Sequence, residues 1–340
     1  MTLDHLYTAL LPILVILPFL LMFGMLPDQT DVHIDTALTN FSQKFLQNSG
    51  FVFDKVFTSL PVAKATDKYF LYSRQDFWRD QGDGQMLLGD GAPVARGGYR
   101  ISNTSYSCDV RAFGKGVTKG ASLNADAVIK SEQDAVDFVT QALMVRLEAQ
   151  WMAEFFVTSV WGTTSTLSGT SQWSDYDDSD PITAIDNGKQ AIGDLTGLEA
   201  NTFLCGSAVD LKLKRHPIVQ ALYKVTNVES ITDDMMARVL GVNRYLVARA
   251  VKATEIEGAT AAFGRIAGKH ALLCYTAPDG SDGATAGKVF KWDGWGNGDG
   301  IAMQSRYDED TRQTVVEGFT ALDFKITSTA LGYFFLNAVA

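Results

Sequence analysis

A long helical pattern at residues 131–161 places the strongest constraint on how this chain can fold. The stretch SEQDAVDFVTQALMVRLEAQWMAEFFVTSVW has no glycine or proline before Gly162, and Ser131 followed by Asp134 is typical of a helix start. Apolar residues recur three and four positions apart, at Val136, Val139, Leu143, Leu147, Trp151 and Phe155. A second row widens this stripe: Ala135, Phe138, Ala142, Val145, Ala149, Met152 and Phe156.

This pattern predicts one helix of roughly 45 Å, longer than the span of an ordinary small domain. The wide apolar stripe predicts that neighbouring elements cover the helix on most of its circumference. We expect a helix of this length to act as a spine between separate lobes. A long core helix in an unrelated α+β protein is the alternative that the stretch leaves open.

Length and composition predict a folded protein of two or three lobes, because 340 residues with 46% hydrophobic residues can bury a sizeable core. With 39 acidic and 29 basic residues the net charge is −10, which argues against nucleic-acid binding through a basic face. The three cysteines, Cys108, Cys205 and Cys274, are scattered and lie in apolar or strand-like contexts. They are predicted to be buried, reduced thiols.

The N-terminal segment of residues 1–27 is strongly apolar, and residues 5–27 lack any charged side chain. That length is sufficient for a membrane-spanning helix. However, no Lys or Arg occurs before Lys44, and two internal prolines would kink such a span. The sequence leaves three interpretations: a membrane anchor, an apolar arm buried against a neighbouring subunit, or an over-extended reading frame that starts at Met22 or Met25.

Residues 28–62 are predicted to form an arm that contains a helix, and residues 63–115 a long two-stranded excursion. Its outgoing strand is predicted at 68–74 and its return over residues 99–113, with a glycine-rich tip at 80–98. A two-stranded ribbon is marginally stable alone in water, so we expect this one to lie on another surface.

Four residues just after the outgoing strand are predicted to make an inter-subunit contact. They are Arg74, Phe77, Trp78 and Arg79. The two large aromatic residues stand beside charged residues in a segment otherwise too polar and glycine-rich to form a core, and buried aromatic residues are frequent interface anchors. A local anchor at the base of the ribbon is the alternative.

Residues 181–305 alternate between helical and strand patterns, which predicts an α/β lobe. Asp180-Pro181 predicts a helix start and Gly197 its end. Further predicted helices and strands follow at 201–206 (strand), 207–216 (helix), 217–224 (helix), 232–241 (helix), 245–252 (strand), 271–276 (strand) and 289–292 (strand). The alternating tail at 313–335 is expected to return beside the spine, so residues 116–180 and 306–340 would form the other lobe.

The sequence predicts no catalytic, cofactor or metal site. None of the four histidines has metal-ligand spacing to another His or Cys, and His270 is predicted to be structural. The glycine-rich tip lacks the phosphate-loop pattern, and there is no G-x-S-x-G motif. Acidic clusters at 176–180 and 307–310 lack EF-hand spacing, which favours solvated loops or contacts to a basic neighbour.

Several segments, in this order, resemble the major capsid proteins of tailed bacteriophages with the Hong Kong 97-type fold. They are LPVAKATDKYFLYSRQDFWRD, GGYRISNTSYSCDVRAF, the helix at 131–161, GKHALLCY and ALDFKITSTALGYFF. The resemblance covers about residues 30–340. It implies an α+β fold with an N-terminal arm, a long β extended loop, a peripheral domain with a spine helix, and an α/β axial domain (181–305).

The resemblance also implies hexamers and pentamers that close an icosahedral shell around double-stranded DNA, in a virion assembled in the host bacterial cytoplasm. The DNA would be a non-specific neighbour. Any scaffolding protein is expected to be a separate chain, and portal and decoration proteins are further expected partners. The apolar residues 5–27 depart from the family pattern, which leaves membrane contact open. The alternatives are an encapsulin-like compartment, or a soluble α/β enzyme that would form only small oligomers.

Overall fold

The computed structural model describes residues 46–47, 50–124, 131–223, 231–255, 258, 260, 262–281, 283–294 and 300–340. The predictions for residues 1–27 and for most of 28–62 therefore lie outside the described residues. The chain divides into two units, Met1–Phe45 with Gly120–Ser131, and Leu46–Lys119 with Glu132–Ala340. The fold described below is that of the second unit; of the first unit, only the bounds of the helix Lys119–Asn124 and the first residue of the helix Ser131–Phe155 are given. Within the described ranges, no helix is both long enough and apolar enough to span a membrane.

The helices are α1 Phe53–Val56, α2 Arg74–Phe77, α3 Asp83–Met86, α4 Lys119–Asn124, α5 Ser131–Phe155, α6 Pro181–Thr196, α7 Ser207–Arg215, α8 Pro217–Tyr223 and α9 Asp233–Val239. The strands are β1 Thr58–Val62, β2 Thr66–Tyr72, β3 Ile101–Ser107, β4 Val110–Thr118, β5 Thr163–Thr166, β6 Thr202–Gly206, β7 Arg244–Ala248, β8 Val251–Ala253, β9 Phe263–Arg265, β10 Ala271–Cys274, β11 Gly287–Trp292, β12 Ala302–Asp308, β13 Gln313–Ile326 and β14 Gly332–Leu336.

Two five-stranded sheets organise these elements. The first has the order β1-β11-β13-β12, with β4 also paired to β13, and the second has the order β5-β14-β10-β6-β7. Two separate ribbons, β2–β3 and β8–β9, are antiparallel pairs. A single large hydrophobic cluster runs from Phe51 to Val339 and includes the C-terminal half of the spine helix α5 together with the second sheet.

The spine helix α5 begins at Ser131 as predicted but ends at Phe155 rather than at residue 161. The indole of Trp161 folds back and donates a hydrogen bond of 2.7 Å to the Phe155 carbonyl, which satisfies one of the free carbonyls at the helix end. The β-branched residues Val157, Thr158 and Val160, which disfavour helix, occupy the turn between them. The apolar pattern continued past the helix because both Phe156 and Trp161 are buried in the core.

The expected coverage of the spine helix on most of its circumference is wrong for its N-terminal half. One face packs on β13, where Gly318 allows close approach: an added Cβ would lie 2.7 Å from Val139 Cγ1. Phe138 is 52% exposed, even though its ring lies 5.7 Å from Phe113 of β4. The sheet of β4, β13 and β12 can cover only one side of a helix.

The α/β lobe matches the prediction closely at its helices. Asp180 caps α6 through a hydrogen bond from the Thr183 amide, and Gly197 ends it in the left-handed conformation with φ of 65°. The predicted strand at 245–252 is instead two strands, β7 and β8. The break occurs because the amides of Arg249 and Ala250 both donate to the Gly50 carbonyl rather than continuing one ladder.

The expectation that the tail returns beside the spine holds for only part of it. Strand β13 does lie in the sheet under α5, but β14 pairs with β10 and β5 in the second sheet. The run Phe334-Phe335 is fully buried, as is typical of a central strand covered on both faces. Conversely, β11 pairs with β1 and β13 in the first sheet. The domain boundaries given above stay predictions.

Candidate assembly surface

The ribbon of β2 and β3 is the element that carries the predicted contact residues. Its register runs from Thr66 opposite Ser107 to Tyr72 opposite Ile101, so the predicted two-stranded excursion is present. The later part of the predicted return strand forms β4 instead, which leaves the ribbon and pairs with β13. Most side chains of both ribbon strands are exposed.

The base of the ribbon is fixed to the first sheet by a small aromatic cluster. Tyr106 stacks on Phe290 with ring centroids 4.4 Å apart and planes 5° apart, and Tyr69 lies 5.3 Å from the same ring. The Cys108 thiol donates to the Phe290 carbonyl at 3.4 Å, and the Ser107 amide donates to Asp323 at 2.9 Å. Burial raises the pKa of Cys108 to about 11, so this thiol is anchoring and unreactive.

A second aromatic cluster lies at the opposite end of the ribbon, which we call the ribbon tip. Tyr72 ends β2, Phe77 ends the short helix α2, and Tyr99 precedes β3. The ring of Phe77 lies 5.1 Å from Tyr99 and 5.9 Å from Tyr72, and the two tyrosine rings are 5.7 Å apart. All three side chains are more than half exposed. The cluster therefore orders the tip without forming a closed core.

An ionic clasp holds the ribbon tip together. Arg100 donates to Asp76 through Nε at 2.8 Å, through a second guanidinium nitrogen at 3.2 Å and through its backbone amide at 3.0 Å. Its carbonyl accepts from the Ser73 amide at 3.0 Å. The Arg100 hydrogen bonds hold the pKa of the Asp76 carboxyl well below its usual range. The clasp thus closes the loop between the two strands with a bidentate, charge-assisted pair.

The structure brings all four predicted contact residues together around α2. The Arg74 guanidinium lies over the Trp78 ring at 5.5 Å, and an Arg79 nitrogen lies 3.9 Å from Asp76. Phe77 and Trp78 are 58% and 59% exposed. They lie at the ribbon tip rather than at the base cluster, and Phe77 contacts Tyr72 and Tyr99 of its own ribbon, so the local-anchor alternative stays open for Phe77. The interface role of the four residues stays a prediction.

Sequence reasoning missed several members of this surface. Four further residues belong to the tip because the pairing of β2 with β3 brings them together: Tyr72, Tyr99, Asp76 and Arg100. An exposed apolar run also follows α2, namely Met86, Leu87, Leu88 and Val94. The appearance of a Tyr at the end of one strand and another before its return was the signal that could have located the cluster.

The described part of the chain contains no group of three or more His, Cys, Asp and Glu residues placed to hold a metal ion. A cavity of about 220 Å³ lies beside the spine helix, with Phe156, Lys252 and His270 in its wall. His270 accepts a hydrogen bond from the Asn337 amide at 3.1 Å; the structural role predicted for it stays a prediction.

These elements define an α+β fold in which a spine helix and a two-stranded ribbon accompany two mixed sheets. The same fold occurs in a phage-related protein from Bordetella bronchiseptica, at 22% identity and a TM-score of 0.65, covering 85% of this chain and 92% of that one. The capsid of cyanophage P-SCSP1u is similar at 10% identity and a TM-score of 0.61, covering 90% and 93%. The capsid of a native GTA particle is similar at 9% identity and a TM-score of 0.57, covering 91% and 97%.

The chain therefore has the Hong Kong 97-like capsid fold that the sequence resemblance implied. No family model matches the chain. No curated protein matches it either.

Proposed function

We propose that this chain is the major capsid protein of a tailed bacteriophage, which self-assembles as hexamers and pentamers into an icosahedral shell around double-stranded DNA. The observation that carries the proposal is the ribbon tip, displayed on a capsid fold. Its aromatic residues are ordered by the Asp76–Arg100 clasp yet remain more than half exposed in the single subunit. A neighbouring subunit is the natural surface to cover them.

The aromatic side chains of the ribbon tip are already ordered in the single subunit, while more than half of their surface is exposed. Ordering of long side chains before binding reduces the entropy lost on association. The clasp and the ring contacts supply this order within the subunit, while Trp78 and Phe77 keep apolar surface available for burial. Arg74 and Arg79 flank the rings, and arginine beside aromatic residues is the composition enriched at interface hot spots.

The remaining properties agree with a structural, non-enzymatic role in the virion. With a net charge of −10 the subunit has little capacity to neutralise phosphates, so packaged DNA is a non-specific neighbour. Scaffolding, portal and decoration proteins would be separate chains. For residues 5–27 a membrane contact and an apolar arm against a neighbouring subunit are competing interpretations.

Sizing of the purified chain tests the proposal. We expect megadalton particles by light scattering coupled to gel filtration, and closed shells by electron microscopy, once the protein is concentrated with or without a scaffolding protein. A chain that remains a monomer or small oligomer under every assembly condition contradicts the proposal and favours the soluble-enzyme alternative. Shells that retain a specific protein cargo in place of DNA would instead identify an encapsulin-like compartment.

A further inference from the structure

Glu148, in the middle of the spine helix, is a fully buried carboxyl group without an ion-pair partner among the described residues. Its exposed fraction is 0%. One carboxyl oxygen, Oε2, accepts hydrogen bonds from the amides of Val52 at 3.0 Å and Phe53 at 2.9 Å. The other oxygen, Oε1, is buried and has no hydrogen-bond partner among the described residues. Helix α1 has no side-chain cap of its own, so Glu148 satisfies its first amides from a distant element.

The opposite end of α1 is held by the second sheet. Arg244, at the start of β7, donates to the carbonyls of Lys55 at 2.8 Å and Val56 at 3.4 Å. Upstream, the Gly50 carbonyl accepts from the Arg249 and Ala250 amides, both at 3.2 Å. Residues 50–57 are thus held by the spine helix in the middle, at Val52 and Phe53, and by residues 244–250 at both ends. We call residues 50–57 the seated segment.

The charge of Glu148 determines how stably the seated segment is bound to the spine helix. Burial raises the pKa of the Glu148 carboxyl to about 7, and the nearby Asp54 also raises it. The two amide hydrogen bonds and Lys55 act in the opposite direction but do not compensate. The Arg244 guanidinium lies at the far end of α1, where it bonds the carbonyls. An ionised Glu148 is therefore a poorly compensated charge in an apolar surrounding.

We propose that Glu148 is a positioning residue whose proton controls the seated segment: the neutral carboxyl holds residues 50–57 in place, and loss of the proton loosens them. The inference goes beyond the proposed function and does not depend on it. Opening exposes the carboxyl to water, where glutamate has a pKa of about 4.3. Because the seated form keeps its proton to a higher pH than the open form, rising pH favours opening between about 4.3 and 7, and the effect levels off above that.

Amide hydrogen exchange on the full chain tests this proposal. In the wild type, the protection of the Val52 and Phe53 amides, corrected for the intrinsic pH dependence of exchange, is expected to fall by about 30-fold between pH 5.5 and 8.5. Glu148→Gln keeps an acceptor oxygen but cannot ionise, so its protection is expected to be independent of pH. Glu154→Gln is the matched control, since Glu154 is exposed on the same helix and should behave as wild type.

Two outcomes overturn the proposal. The first is wild-type protection that changes no more with pH than that of Glu148→Gln. The second comes from the wild type alone and is decisive even if the variant does not fold: a carbon-13 titration of the Glu148 carboxyl with its midpoint near 4. A midpoint above 6 together with pH-dependent protection of residues 52–53 supports it.

Discussion

Replacement of Trp78 with alanine should separate assembly from subunit stability. Within its own subunit Trp78 is 59% exposed, and its ring is in contact with the Arg74 guanidinium at 5.5 Å. An exposed cation–π contact contributes about 0.5–1 kcal/mol. In a chain of this size, the loss of that contact should lower the melting temperature of the isolated subunit by about 2 °C or less.

Assembly is expected to respond much more strongly to the same change. Truncation of an aromatic anchor buried at an interface commonly costs about 2 kcal/mol or more. In a closed ring each subunit gives one ribbon contact and receives one, so the penalty is one contact per subunit. About 2 kcal/mol corresponds to a roughly 30-fold change in an equilibrium constant, so the critical concentration for assembly should rise by about 30-fold.

Sedimentation velocity over a concentration series measures the critical concentration, and calorimetry under non-assembling conditions measures subunit stability. Phe263→Ala is the matched control, because Phe263 is also a strongly exposed aromatic residue but lies on β9, outside the ribbon. Both quantities should be nearly unchanged in this control. If Trp78→Ala lowers subunit stability and assembly to the same degree, Trp78 belongs to its own subunit and the interface assignment is refuted.

Three further predictions concern stability, the N-terminal segment and DNA. Gly332→Ala should destabilise the fold by about 3 kcal/mol in urea denaturation, because the added Cβ meets the buried Trp161 ring; Gly193→Ala, which meets open space on α6, should stabilise it by about 0.5–1 kcal/mol. Deletion of residues 1–27 should leave the thermal melt of the remainder intact, because residues 51–339 already form a large hydrophobic core with one another; loss of soluble folded protein would contradict this. The free subunit, with net charge −10, should bind DNA weakly and lose that binding as salt rises; salt-resistant, sequence-specific binding in fluorescence anisotropy would contradict it.

The elements that the sequence predicted well are those whose start and end are coded locally. Helix α6 is an example: Asp180 caps its start, Pro181 occupies its first position and Gly197 ends it, each as predicted. The end of the spine helix could not be read this way. It depends on the indole of Trp161 reaching the Phe155 carbonyl and on the space left at Gly332, which are tertiary contacts.

The ribbon tip, too, could be predicted from the sequence only in part. Residues Arg74, Phe77, Trp78 and Arg79 are adjacent in sequence, so their composition marked the segment before any fold was known. The clasp joins Asp76 to Arg100, which lies 24 positions away, and the pairing exists only in the observed register of β2 and β3. Asp76 lies in α2, just after β2, and Arg100 directly precedes β3, so a slip in the register of the two strands would separate the two side chains.

Two carboxyl groups with opposite pKa shifts allow the seated segment and the ribbon tip to be tested independently. The pKa of Asp76 is lowered by Arg100, so the clasp contributes stability that is complete above the usual aspartate pKa of about 3.9 and is lost only as pH falls below it. Burial raises the pKa of Glu148 to about 7. The seated segment is therefore held most firmly at low pH, and less firmly as pH rises toward 7. Between pH 5.5 and 8.5 Asp76 in the clasp therefore stays ionised, while Glu148 changes from neutral to ionised. If amide protection changes with pH over this range and Glu148→Gln abolishes that change, the change originates at the seated segment and not at the ribbon tip.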